Sequence, residues 1–224
     1  MSHFIINPYV YAATGLDQLD NNYYMEFDAA ATQYVQTTQD LSSLTACSIS
    51  CWVKFDFTAT GIMHIVVIGN AIGAGDQLAI AKRPTSFGAD SNKFYIWDGS
   101  AGQTTTKVAV DNTWYHAVVT WTGTTIKVYI DTVDVSGGGF TASSTLSLNN
   151  GAANPTINLG SFFWAPNNFN HYFQGGLDEV ALFDYALSAS DIQDIYDATD
   201  IAGKKCADLS AMATPPITWY RMGD

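Results

Sequence analysis

Phe173-Gln174-Gly175-Gly176-Leu177-Asp178-Glu179-Val180-Ala181-Leu182-Phe183-Asp184-Tyr185-Ala186-Leu187-Ser188-Ala189-Ser190-Asp191-Ile192 is the stretch that decides how this chain folds. Gly176 to Phe183 reads as a strand that ends in a turn. Ser188-Ala189-Ser190-Asp191 then opens a helix, because a serine followed three residues later by an acid forms a variant of the capping box. Ile192, Ile195 and Tyr196 fall on one face of that helix. A strong strand closed by one short helix predicts a sheet protein with a helix laid against it.

Working outward, the rest of the chain reads as strands. Cys47, Ile49, Cys51, Val53, Phe55 and Phe57 alternate with Ser48, Ser50, Trp52 and Lys54, the period of a half-buried strand. Thr113 to Trp121 and Ile126 to Asp131 flank Thr122-Gly123-Thr124-Thr125, the best hairpin in the sequence. Tyr23 to Phe27 and Tyr34 to Thr38 read as a strand pair. Ile62 to Gly69, Gln77 to Ala81, Lys93 to Trp97 and Thr156 to Ser161 add further strands. Many short strands with turn signals between them predict a sandwich or barrel. The expected fold is therefore all-β: a two-sheet antiparallel jelly-roll sandwich with one short C-terminal helix.

Composition agrees. The 224 residues suit one large all-β domain or two small ones, and only 13% are charged. Net charge is −12, which repels phosphate backbones and argues against nucleic acid as a partner. Glu26 and Glu179 are the glutamates; every other acid is Asp, a residue of turns and caps. Cys47 and Cys51 sit on one strand face about 13 Å apart, too far for a disulfide. With Cys206 they read as buried free thiols. No apolar run of about 18 residues predicts a membrane span, and Met1 to Val10 does not read as a signal peptide.

The organisation expected is an arm at 1–22, a domain at 23–199 and an extension at 200–224. Phe4-Ile5-Ile6 and Tyr9-Val10-Tyr11 are β-prone, and form either an edge strand on the domain's own sheet or an arm onto a neighbouring subunit. The ending Pro215-Pro216-Ile217-Thr218-Trp219-Tyr220-Arg221-Met222-Gly223-Asp224 is strand-like, and reads as a segment that pairs with another subunit or leads into further chain.

Four motifs in order resemble the laminin-G-like, concanavalin A-like jelly rolls. They are Met25-Glu26-Phe27-Asp28 with Gln33-Tyr34-Val35; Ser48-Ile49-Ser50-Cys51-Trp52-Val53-Lys54; Trp114 to Thr120 with Val128-Tyr129-Ile130-Asp131; and Gly176-Leu177-Asp178-Glu179-Val180. Together they cover roughly residues 23 to 197. Ala29 and Thr132 stand where the family carries glycine, at turn positions that favour positive φ. The resemblance implies a fold that binds rather than transforms, and a Ca²⁺ site on Asp28 and Asp178. More loosely, Asn7-Pro8-Tyr9 and the Trp219-to-Asp224 ending resemble virion proteins of tailed bacteriophages and marine viruses.

Catalytic motifs are missing. A jelly-roll glycosidase needs paired carboxylates flanking the scissile bond; the E-x-D-x-x-E of related glucanases is not found, nor is G-x-S-x-G or H-E-x-x-H. His3, His64, His116 and His171 are dispersed. The aromatic stretch from Ser161 to Phe173 has the composition of a sugar platform. Trp164, Phe169 and Tyr172 would stack, while Asn167 and Asn168 would bond hydroxyls. The same loop suits a subunit interface or plain packing on the sheet. Trp97-Asp98-Gly99 is a second candidate. The expected function is a non-enzymatic virion structural or adhesion protein, a capsid decoration or tail-fibre module. Its partners would be other virion proteins or itself as a homo-oligomer, with a host-surface glycan as a further partner. The alternative is an extracellular or cell-surface lectin module, and a glycosidase with an unrecognised Asp pair is third.

Overall fold

The computed structural model describes residues 16–41, 43–69, 77–144, 146–148, 156–165, 168–200 and 204–222; for residues 156, 163–165, 168 and 169 it describes the backbone. In chain order the strands begin with β1 (Gln18–Asp20), β2 (Met25–Phe27), β3 (Val35–Thr38), β4 (Cys47–Phe55), β5 (Met63–Gly69) and β6 (Gln77–Lys82). Next come β7 (Lys93–Trp97), β8 (Gly102–Val108), β9 (Trp114–Trp121), β10 (Thr125–Ile130), β11 (Val133–Asp134) and β12 (Phe140–Thr141). The last are β13 (Thr156–Leu159), β14 (Phe162–Ala165), β15 (Asn168–Asn170) and β16 (Gly175–Phe183), then helix α1 (Ala189–Asp197), β17 (Lys205–Ala207) and β18 (Thr218–Tyr220).

Two antiparallel sheets face each other. One has eight strands along β11-β10-β9-β4-β16-β18, with β12 on β10 and β2 on β16; the other has six in the order β3-β13-β5-β6-β7-β8. Alternation explains the core. Ile49, Cys51, Val53 and Phe55 of β4 and Ala117 and Val119 of β9 meet Ile65 and Ile68 of β5, Ile80 of β6, and Phe94 and Ile96 of β7 in one buried cluster. The predicted all-β sandwich with one helix is the observed architecture.

The sandwich corrects two sequence-based expectations. Tyr23–Phe27 and Tyr34–Thr38 do not pair: β2 joins β16 in one sheet and β3 joins β13 in the other. The turn between them, in which Asp28 Oδ1 accepts from the Ala30 amide at 2.9 Å, carries the chain across the sandwich. Strand β4 is buried on both faces rather than one, Ser48, Ser50 and Trp52 included. Helix α1 and the turn before it close that second face. Phe183, Ala181, Val118 and Tyr129 form a second core with Leu187, Ile192, Ile195 and Leu209. The Trp52 ring packs against both His116 (5.2 Å) and Tyr196 (5.7 Å), which also touch each other (6.1 Å). The capping box forms as read: the Asp191 amide donates to Ser188 Oγ, and the Ser188 amide donates to Asp191 Oδ2.

The described parts of the two terminal segments fold onto their own domain. β1 pairs with β17 in a small separate sheet, and β18 pairs with β16 in the large one. Lys205 pairs with Asp20 across the first of these. Residues 1–15, which carry the apolar Phe4 to Tyr11 stretch, lie outside the described residues. At the two departures from family glycine, Thr132 takes φ 70° after Asp131 at 50°, so the two-residue turn keeps its positive-φ form without glycine, whereas the 28–32 turn moves the positive φ to Thr32.

Candidate functional site

Strand β7 alternates strictly. Phe94 and Ile96 enter the core, so Tyr95 and Trp97 stand on the outer face of the six-stranded sheet. Cross-strand register then sets a row on that face: Gln36 opposite Asn158, Asn158 opposite Val67, Val67 opposite Ala79, Ala79 opposite Trp97. Small side chains in the middle of the row leave a trough between the indole at one end and amides at the other. Phe162, at the start of the β14–β15 hairpin, lies in that trough, buried with Val67 and Ala79 and touched by Trp97. The two aromatic segments singled out from the sequence, around Trp97 and from Ser161 to Phe173, thus meet on one sheet face.

The hairpin's base is polar. The His64 ring lies 4.5 Å from Phe162 and stacks on His171 at 5.4 Å. His64 Nδ1, Ser161 Oγ and Asn170 Oδ1 are buried atoms without a hydrogen-bond partner among the described residues. Burial, then the neighbouring His171, holds the His64 imidazole well below its ordinary pKa, and burial lowers His171 as well. The buried His64 ring is therefore neutral at pH 7. At the row's far end Gln36 Nε2 donates to Asn158 Oδ1 at 2.9 Å. Of this row the Trp97 indole is half-buried and the Gln36 amide exposed, so a stacking ring and a hydrogen-bonding group reach the surface of this face, the chemistry that a polyhydroxylated ring requires, while Asn158, Ser161 and His64 lie buried beneath.

The predicted site residues distribute unevenly. Trp164 falls on β14, and Asn168 and Phe169 fall on β15, with Phe169 opposite Phe163 and Asn168 opposite Ala165. Their side chains, and all of Asn167, lie outside the described part of the structure. Tyr172 is half-buried with its ring 6.5 Å from that of Tyr34. Sequence reading ranked Trp97 second and passed over Gln36, Asn158 and His64. The available signal was parity along each strand, but the register that aligns the row across five strands is not written in any one of them.

Asp28 and Asp178 do not come together. Phe27 pairs with Gly175, so Asp28 lies level with Gln174. Asp178 is four residues further along β16, roughly 13 Å away. Asp178 is buried, accepting from Asn21 Nδ2 at 2.8 Å and from the Glu179 amide at 2.9 Å, whereas Asp28 is exposed. The pair does not fit one Ca²⁺, which needs six to eight oxygens. No cluster of three or more metal-ligating side chains occurs among the described residues.

The G-x-L-D-E-V motif has a different physical role. Asp178 pairs with Trp52 and Ala181 with Ser50, so one extra residue is inserted between them. Glu179 carries this bulge at φ 49°, a conformation that strains a side chain with a Cβ. The bulge switches the parity of β16: Leu177 and Val180 both face the core. It also buries the Glu179 carboxyl, whose Oε2 accepts from Trp219 Nε1 at 2.7 Å. Burial, then the adjacent Asp178 charge, raises this carboxyl to about 7. A small crevice of about 10 Å³ beside it is lined by Ser50, Trp52, Thr199 and Cys206, among others. The thiols of Cys47 and Cys51 are buried and pushed up to about 12, as inert core groups.

Comparison with known proteins places this geometry. Residues 28–193 match the concanavalin A-like lectin/glucanases superfamily, and the chain belongs to that family. A protein from Bacteroides ovatus described as carbohydrate-binding superposes with a TM-score of 0.60 at 12% identity, over 92% of this chain and 52% of its own. This chain thus spans about half the length of that relative. The heptameric SAP-like pentraxin of Limulus polyphemus gives 0.59 at 13% identity, over 94% of this chain and 91% of the pentraxin. Trypanosoma rangeli sialidase gives 0.50 at 18% identity, over 67% of this chain and 22% of the enzyme. At these identities the likeness is one of fold. No curated protein matches the sequence.

Proposed function

We propose that this protein is a non-enzymatic adhesion module that binds glycan on the outer face of its six-stranded sheet, under and beside the β14–β15 hairpin. The observation that carries the reading is the union of Trp97 and Phe162 in one cluster on that face, flanked by the Gln36–Asn158 amide pair. Membership of a lectin and glucanase superfamily supports it, as does the likeness to a protein described as carbohydrate-binding. Binding is favoured over hydrolysis because the row Gln36, Asn158, Val67, Ala79 and Trp97 carries no carboxylate, where a glycosidase needs two.

This order reverses the one read from the sequence, which put a virion structural role first and a lectin second. A virion setting remains compatible as the place where such a module would act. It rests on the resemblance of the chain's two ends and would show as co-purification with particles. A Ca²⁺ contribution is testable beside it, by measuring binding with calcium and then with chelator. The direct test is a glycan array probed with the intact chain and with Trp97→Ala. Trp97 is half-buried at the trough's edge, so its loss should leave the fold intact and weaken binding at least about 10-fold, the scale of one aromatic–sugar contact. Unchanged binding by Trp97→Ala, or no glycan bound by either protein, would sink the reading.

A further inference from the structure

Arg83 follows β6 on the same outer face and bonds back to β7 through its amide, which donates to Lys93 O at 2.9 Å. Its guanidinium carbon lies 3.8 Å from the centroid of Tyr95 and 4.7 Å from that of Phe87. Its Nε donates to Thr104 Oγ1 at 3.1 Å. Gly102 makes this arrangement possible, since a Cβ there would fall 1.9 Å from Tyr95 Oη. The tyrosine ring can therefore lie across the glycine of the neighbouring strand and present itself to the guanidinium.

What this held guanidinium lacks is an acid. In a chain with 21 carboxylates and nine lysines and arginines, Lys93, Lys127 and Lys205 each have an acidic partner. No carboxylate among the described residues pairs with Arg83. Nearby acids are otherwise engaged: Asp90 holds Lys93, and buried Asp98 accepts from the backbone amides of Ser100, Ala101 and Ser143. The terminal nitrogens of Arg83 thus form a planar donor fork, fixed on an aromatic ring, with no partner among the described residues. Tyr95 is two residues from Trp97 on the same strand face, about 7 Å along it, the length of one to two sugar units.

We propose that Arg83 receives the anionic substituent, carboxylate or sulfate, of an acidic sugar whose neighbouring ring lies on the Trp97 trough, so that the ligand is an acidic oligosaccharide. The inference rests on the glycan-binding reading above and names its substrate class. A guanidinium fork matches a two-oxygen anion bidentately, and its stacking removes much of the entropy cost of ordering it. The net charge of −12 opposes acidic ligands at long range, so discrimination has to come from this contact.

The test is isothermal titration of the intact chain with oligogalacturonides, with their methyl esters, and with sulfated galactan oligosaccharides. Wild type is expected to bind an acidic form at least about 10-fold more tightly than the neutral ester, the scale of one charge-assisted hydrogen-bonded pair. Arg83→Gln should bring the acid down to the ester's affinity and leave the ester unchanged, and Arg83→Lys should keep part of the preference. Uronate and sulfate arms tell which anion is preferred. Equal affinity for acid and ester, or a preference that survives Arg83→Gln, overturns this inference while leaving the glycan site standing. If no saccharide binds and Trp97→Ala changes nothing, the glycan-binding reading fails and this inference falls with it.

Discussion

The two outer faces of the sandwich are closed in opposite ways. Over the eight-stranded sheet, α1 and the C-terminal segment lay Leu187, Ile192, Ile195, Ala207 and Leu209 onto Ala181, Phe183, Val118 and Tyr129. Over the six-stranded sheet, the corresponding cluster is Val67, Ala79 and Phe162, with Trp97 at its side. The first face is a second hydrophobic core; the second is a short apolar trough walled by amides, imidazoles and aromatic rings. If the proposed glycan site is right, the molecule separates stability from recognition face by face. The first face is closed mainly by aliphatic packing around one buried carboxyl, that of Glu179, whereas the second, covered by a small hairpin, leaves Trp97 half-buried at its edge.

Truncating one ring on each face tests the contrast most severely. Phe183 is fully buried, and Phe183→Ala should cost about 3–5 kcal/mol in urea unfolding. Phe162→Ala should cost less, because its cluster is smaller, yet impair glycan binding through a loosened hairpin. Equal stability losses would break the distinction between a structural and a functional face.

A second measurement sharpens the sealed face. The Glu179 carboxyl is raised from 4.5 to about 7, so between those values the folded protein holds a proton that the unfolded chain releases. Its contribution is greatest below pH 4.5, falls as pH rises to 7, and is constant above. The size is on the order of 3 kcal/mol, about 1.4 per pH unit. His116, neutral in the fold and pushed down to about 3 by burial, acts in the other sense, losing stability as pH falls below 6.5. Glu179→Gln removes the carboxylate term alone. Thermal unfolding from pH 5 to 8 should show the variant gaining on wild type as pH rises; a constant difference would contradict the buried, protonated carboxyl.

The smallest effect concerns the seal's edge. Ser188→Ala deletes the cap of α1, whose hydroxyl accepts from the Asp191 amide, and should cost about 1 kcal/mol. Glycan affinity should not change, since the helix lies on the other side of the sandwich. A loss of binding would mean that the two faces are coupled.

Local chemistry made much of this legible in the sequence. The period of two in Cys47 to Phe55, the turn residues of the Thr122–Thr125 hairpin and the serine–aspartate cap each depend on neighbours within a few residues. They therefore appear in the chain as patterns. The motifs around Asp28, Trp52, Trp114 and Asp178 likewise identified the superfamily. What they did not reveal was partnership. Tyr23–Phe27 and Tyr34–Thr38 look like a hairpin because they are close in sequence, yet one belongs to each sheet. Asp178 looks like a metal ligand beside Glu179, but the bulge turns the pair toward Asn21 and Trp219 and leaves Asp28 four residues away.

The chain by itself, then, determined a β-sandwich, its strands, its one capped helix and the aromatic richness of residues 161–173, because each arises from local periodicity and turn chemistry. Tertiary structure alone decided that β4 is covered twice, that both described terminal segments fold back on the domain, and that Gln36, Asn158, Trp97 and Phe162 share one face with Arg83 at its end. Those facts follow from register and crossover, and register is settled only when two distant strands bury their apolar sides together.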